Sequence, residues 1–437
     1  MSLAKCSSKE EHLQVVLEEL AQQGNQICQF SQRNTELNAE RFVQILVLGW
    51  VRQADASLNE LAHFAQDLGC SVTGSALNER MGAAAIELLG RVLVGALRRV
   101  AAYPRVPIAA LKAFTAVKVT DSTQIGLPKT LLAEFQGNNQ DAMVKLQVTL
   151  DYLTGQWTAV EMTDGKTPDN NSALPLQQAS AGSLNLFDLG YFEQGRLRDI
   201  ADQGAYFVSR YQSQTALYVP KTGERFNLVK WLRSLATKEA QCVVELGLRV
   251  HLPVRLVARR LSKKVAAARR RQAKKKYKKQ GKTCSKTYLF LLGWDILITN
   301  LPEEQWPPAQ IFDLYLIRPQ IEWLFRMWKS QLQVDHFGNW RSERVLCQLY
   351  AHLIGILLGH RLCAGWLWRD GQEYSLYKCI QIVQEQIAGL MKCIARNWWG
   401  VQAWRRKLED AFRQYGRKTK RKKAPSTCQI LINWSLS

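Results

Sequence analysis

The stretch MVKLQVTLDYLTGQWTAVEMTDG, residues 143–165, constrains the fold more than any other. Apolar and polar residues alternate on both sides of Gly155, the pattern of two strands joined by a turn. Upstream, AFTAVKVTDST (113–123) is a β-prone run that ends near Asp121. Downstream, LPLQQASAGS offers a helix or a loop, and LNLFDLGYFE (184–193) is an apolar run interrupted by Asp188. EQGRLRDIADQGAYFVSRYQ then reads as a helix followed by a strand. This order predicts an α/β core with a mixed sheet over residues 106–212.

The 437 residues leave room for further domains. Residues 1–105 read as a helical N-terminal region. In SLNELAHFAQDLGCSVTGSALNERM (57–81), Ser57 and Glu60 form a capping box, and Leu58, Leu61, Ala62, Ala65 and Leu68 share one face. Gly69 ends that helix, and Ser71 or Thr73 caps the next. The outline is that of a DNA-binding helix-turn-helix, although any two packed helices share it. Residues 213–302 read as a β-rich basic insertion, with YLFLLGWDILITNLP (288–302) as a strand pair or one long strand. Residues 303–360 and 361–437 are helical, the last ending in the basic tail GRKTKRKKAPS (416–426).

Charge narrows the function. With 59 basic and 37 acidic residues the formal charge is +22, an excess that suits a polyanion. The run RLVARRLSKKVAAARRRQAKKKYKKQGK (255–282) holds fourteen Lys or Arg and no acid. It is a solvated, partly ordered arm or a phosphate-binding surface, and the overall charge favours nucleic-acid contact that is sequence-independent and salt-sensitive. No membrane is expected as a partner. The start, MSLAKCSSKEEHLQ, is polar, and VLCQLYAHLIGILLGHRLCAGWLW (345–368) is broken by His352, His360 and Arg361, so it reads as a buried core helix. Ten scattered cysteines without a CxxC pair suggest reduced usage in the cytoplasm and no zinc site.

YLIRPQIEWLFRMWK, residues 315–329, places Tyr315, Arg318, Glu322 and Lys329 at helical spacings. On one continuous helix they would fall within an arc of about 60°, beside an apolar face of Leu314, Ile321, Phe325, Trp328 and Leu332. Pro319 either kinks that helix or starts a fresh one after Arg318. A carboxylate at a buried strand end needs a cation or metal partner. Asp121, Asp188 and Glu322, if convergent, would bind Mg²⁺ or Mn²⁺, hard ions that prefer oxygen ligands. Two such ions can activate a water or a 3′-hydroxyl against a phosphodiester.

Physical reasoning alone does not select those three acids from 37. A resemblance does. Tyr315, Arg318, Glu322 and Lys329 match in full the YREK signature of bacterial insertion-sequence DDE transposases. VTDST around Asp121 resembles the first-acid motif of that family, and FDLGYF around Asp188 its second. The resemblance covers residues 110–360 and implies a ribonuclease-H-like core with Asp121, Asp188 and Glu322 as catalytic metal ligands for Mg²⁺, Mn²⁺ substituting. It also implies DNA contacts by Tyr315, Arg318, Lys329 and Trp294, the last stacking on a base flipped from the DNA end. Trp294 in LLGWDIL is otherwise a strand core residue. The partners implied are double-stranded DNA, as inverted-repeat ends and target, and a second copy in a homodimer. The reaction implied is cut-and-paste transposition through a hairpin intermediate. The rival readings are a catalytically inactive, transposase-derived DNA-binding protein and a metal nuclease that cuts but does not join.

Overall fold

The computed structural model describes residues 9–31, 36–99, 108–338, 340–366, 368–369, 372–419 and 425–434. The polar start (1–8) and residues 420–424 of the basic tail lie outside the described residues. The strands of the main sheet are β1 Val117–Leu127, β2 Ala142–Asp151, β3 Gln156–Asp164, β4 Leu184–Phe187, β5 Tyr206–Arg210, β6 Leu217–Tyr218, β7 Glu239–Leu246, β8 Leu252–Arg260 and β9 Trp294–Thr299. Helices include α1 Ala39–Arg52, α2 Leu58–Phe64, α3 Gly74–Arg80, α4 Ala83–Arg98, α5 Gln194–Asp202, α6 Lys263–Lys279, α7 Lys286–Leu291, α8 Pro308–Tyr315, α9 Pro319–Ser330 and α10 Ser342–Ala364.

Two compact units divide the chain. One comprises Met1–Pro107, Ser122–Thr167 and Glu322–Ala424; the other comprises Ile108–Asp121, Pro168–Ile321 and Pro425–Ser437. In the first unit α2 begins at the expected capping box. The Ser57 backbone N–H donates to Glu60 Oε2 at 2.7 Å, and the Glu60 N–H donates to Ser57 Oγ at 3.3 Å. Thr73 Oγ1 accepts from the Ala76 N–H at 3.1 Å and starts α3. Gly74 is required there, because a Cβ would lie 2.2 Å from Asn59 Oδ1 and 3.0 Å from the Asn59 backbone nitrogen. The hairpin of β2 and β3 turns at Gly155, whose φ of +68° suits glycine. β2 is buried along almost its whole length, as an inner strand should be. α10 is long and apolar enough to cross a membrane, yet 89% of its apolar window is buried within the fold, as expected of a core helix.

The second unit carries the other ladder, in the order β1-β4-β5-β9-β8-β7-β6. β1, β4 and β5 run parallel, and the remaining pairs are antiparallel. In the first unit the order is β3-β2-β1. The fold class is the mixed α/β, ribonuclease-H-like one, with the antiparallel hairpin β2-β3 in the first unit and the parallel neighbours β1, β4 and β5 in the second. The core of the second unit gathers Phe187, Tyr191, Leu197, Phe207, Leu256 and Ile298.

Two expectations in the 213–302 region need correction. The basic run is not a partly ordered arm, and its reading as a phosphate-binding surface is untouched by this. Its first residues end β8, and residues 263–279 form α6, capped by Ser262, whose Oγ accepts from the Val265 N–H. The 288–302 segment is not a strand pair: Ser285 caps α7 through the Tyr288 N–H at 3.1 Å, and only Trp294–Thr299 are extended.

Candidate active site

Asp121 lies on β1 and Asp188 directly follows β4. The parallel register pairs Val117 with Leu184, Lys118 with Asn185 and Val119 with Leu186, a constant offset of 67 residues. The same offset takes Asp121 to Asp188, so the two carboxylates stand level on neighbouring strands. Two carboxylates side by side repel, and Asp121 is also largely stripped of water, so a cation between them is favoured. That cation is Arg318. Its Nη2 lies 3.0 Å from Asp121 Oδ2 and 3.5 Å from Asp188 Oδ2. Both oxygens touch one nitrogen, so they are at most 6.5 Å from each other. Arg318 and Asp121 are nearly buried, whereas Asp188 is one-third exposed and also meets Arg210 Nη1 at 4.0 Å.

Pro319 decides where the signature residues go. It starts α9, while α8 ends at Tyr315 and residues 316–318 form a turn closed by the Arg318 N–H to Tyr315 O at 3.2 Å. The single helix with four side chains on one arc is therefore not formed. Proline disfavours a helical residue before it and fits the first turn of a new helix. The apolar face survives the break, with Leu314, Ile321, Phe325, Trp328 and Leu332 all buried.

The Tyr315 hydroxyl donates to Phe187 O at 2.9 Å, fixing the residue that precedes Asp188. Burial pushes this hydroxyl well above the ordinary tyrosine value, so it remains a donor at neutral pH. The Arg210 guanidinium sits 5.7 Å from the centre of the same ring. Glu322 occupies the first turn of α9, where the helix dipole favours a carboxylate, and lies 4.0 Å from Arg326 Nη2 with a half-exposed side chain. Lys329, in the last turn, donates to Gln124 O on β1 at 2.6 Å. Between them, Trp328 packs against Trp157 with ring centres 4.3 Å apart and directs its Nε1–H to His360 Nε2.

Trp294 opens β9 and is 6% exposed within the apolar cluster, with the Arg260 guanidinium 4.8 Å from its ring centre. Arg210 was not anticipated. Its signal was available, since it ends a strand parallel to the one before Asp188, and ligands of open α/β sheets gather at the carboxyl ends of strands. Among the described residues no group of three His, Cys, Asp or Glu side chains is close enough to hold a metal ion. The Asp121–Asp188 pair still suits a divalent cation, because its oxygens already converge on one positive centre and are hard donors.

Residues 112–358 match the family model of the transposase DDE domain, and the chain belongs to that family. It is 26% identical over 443 residues to the transposase of insertion sequence element IS231B from Bacillus thuringiensis subsp. berliner, covering 93% of this chain and 90% of that one. It is 24% identical to the IS1151 transposase of Clostridium perfringens, covering 73% and 72%. Among solved structures it resembles piggyBac transposase in a synaptic complex with hairpin DNA, with a TM-score of 0.46, 9% identity and coverage of 96% and 87%. The chain is thus a DNA transposase of the DDE class, a DNA-binding enzyme type that uses divalent metal to cleave strands and transfer them.

Proposed function

We propose that this transposase excises an insertion sequence at its inverted-repeat ends and joins those ends to target DNA, by cut-and-paste through a hairpin intermediate. The observation that carries the reading is the shared contact of Asp121 and Asp188 with one guanidinium nitrogen. Asp121, Asp188 and Glu322 would hold Mg²⁺, or Mn²⁺ in its place. Bound there, the metal would activate a water or 3′-hydroxyl and offset charge on the leaving oxygen. Arg318 keeps the aspartates together beforehand and, once released from them, is free to grip a phosphate of the strand being cut. Tyr315 holds the backbone at Phe187 and borders the same phosphates. Lys329 anchors the end of α9 on β1 and adds a cation beside the cut.

Trp294 takes the flipped-base role when Arg260 leaves its ring, since base stacking recovers part of the cost of unstacking. The α2–α3 pair docks on DNA as a helix-turn-helix, and the reaction runs in the cytoplasm in a homodimer. The five regions, 1–105, 106–212, 213–302, 303–360 and 361–437, divide this work between DNA binding, the core, the insertion, the signature helices and a C-terminal support.

Cleavage of a duplex carrying the gene's own flanking repeats tests this. With Mg²⁺ the wild type cuts at the repeat ends and goes on to strand-transfer products, whereas Glu322→Gln binds the ends without cutting. Binding without cutting by both proteins would favour the inactive DNA-binding protein. Cutting without joining would favour a nuclease.

A further inference from the structure

The basic helix α6 is used by none of the roles above. Its inner face is fastened along its length. Ala266 is buried, Arg269 Nη1 reaches Asp295 Oδ1 at 2.7 Å, Arg270 Nε donates to Leu289 O at 2.8 Å, and the Tyr277 ring lies 5.6 Å from that of Tyr288. These positions recur at helical spacing, so the opposite face is held outward. That face carries Lys264, Arg271, Lys275, Lys278 and Lys279, all exposed. At 100° per residue the five fall within an arc of about 100° and extend about 22 Å along the axis. The remaining helix residue on this arc is Ala268, with Gln272 just beyond its edge.

Such a helix is costly alone. The pairs 270/274, 271/275, 274/278 and 275/279 are all like-charged at i,i+4, and residues 255–282 contain no acid to offset them. A polyanion along the outer arc removes that repulsion. A membrane surface does not fit, because an interfacial helix needs a broad apolar face for the bilayer and this arc has none. A protein interface needs an apolar or aromatic centre, which is also missing. Duplex DNA fits: a rigid ridge of cations about 22 Å long reaches phosphates on both sides of a groove about 12 Å wide.

Resting on the DNA-transposase reading above, we propose that the outer face of α6 is a sequence-independent clamp for the backbone of duplex DNA. Arg269 and Arg270 position the helix, and Lys264, Arg271, Lys275, Lys278 and Lys279 make the contacts. The duplex is either the element end beyond the cut or the target.

The test compares the full-length wild type with K264Q/R271Q/K275Q/K278Q/K279Q and with the charge-keeping K264R/K275R/K278R/K279R. Binding is measured from 50 to 200 mM salt on a repeat-end duplex, and on an unrelated duplex offered to protein already holding a pre-cut end. If all five cations contact phosphates, the glutamine variant lowers the slope of log Kd against log salt by about four to five, and the arginine variant keeps it. Loss in the first arm assigns the ridge to the element end, and loss in the second to target DNA. Unchanged slopes in both arms overturn the proposal. So does unchanged DNA binding with lost binding to vesicles of anionic phospholipid, which would make the ridge a membrane contact. The underlying reading is judged separately: a wild type that cuts repeat ends while the glutamine variant keeps its slopes defeats the clamp alone. A wild type that neither binds nor cuts them defeats both.

Discussion

The cluster around Arg318 and the outer face of α6 are both built on cations, and they use charge in opposite ways. Arg318 is nearly buried and shared between two carboxylates at 3.0 and 3.5 Å. The α6 stripe is exposed and set by helical spacing alone. Burial makes the first arrangement geometrically demanding, because a charge removed from water needs its partner in place. Exposure leaves the second tolerant of movement, screened by salt and indifferent to base sequence. Chemistry at one phosphate requires the first kind of site, and holding a long duplex requires only the second.

Deleting single charges would break or sharpen this contrast. Arg318→Ala strands the nearly buried Asp121 beside the one-third-exposed Asp188 and should destabilise the fold by about 3 kcal/mol in a chelating buffer. Lys275→Gln, the same loss of one charge on the outer arc, should change stability by less than about 0.5 kcal/mol. Urea unfolding of the two variants checks both, and similar losses would show that burial does not separate the two regions. Adding Mg²⁺ should restore part of the loss in Arg318→Ala only, because the ion replaces the missing cation.

A smaller effect comes from a group kept neutral by burial. His360 accepts from Trp328 behind α9, and burial lowers its pKa from 6.5 to about 3. The unfolded chain takes up this proton as pH falls below about 6.5, while the folded side chain resists until about 3. The stability contribution is therefore complete above pH 6.5 and is lost progressively toward pH 3. Urea midpoints across that window should fall less steeply for His360→Gln than for the wild type. Identical slopes would mean that this histidine does not carry the acid sensitivity.

Much of this was legible in the sequence where local rules apply. The hairpin around Gly155, the capping box at Ser57 and Glu60, and the buried α10 follow from alternation, side-chain capping and apolar content. The level placement of Asp121 and Asp188 was not legible by those rules. It depends on the register of two strands separated by 67 residues, and the resemblance to YREK transposases singled out the pair. Of the readings open for residues 315–329, the fresh helix starting at Pro319 is the one formed and the continuous helix is not, because the proline ring and missing N–H outweigh a persuasive periodicity. The α6 helix was hidden because its anchoring face is made of alanines, arginines and a tyrosine rather than large aliphatic side chains. YLFLLGW reads as strand by propensity, yet Ser285 caps a helix there and β9 begins only after Gly293.

The most direct test of the central claim, that Asp121, Asp188 and Glu322 act as one set of metal ligands, is repeat-end cleavage by Asp188→Cys in Mg²⁺ and in Mn²⁺. A thiolate is a poor ligand for Mg²⁺ and a better one for the softer Mn²⁺. The account predicts binding without cutting in Mg²⁺ and recovered cutting in Mn²⁺, with Asp121→Cys and Glu322→Cys behaving alike. Cutting at the wild-type rate in Mg²⁺ would contradict it, because residue 188 would then hold no metal.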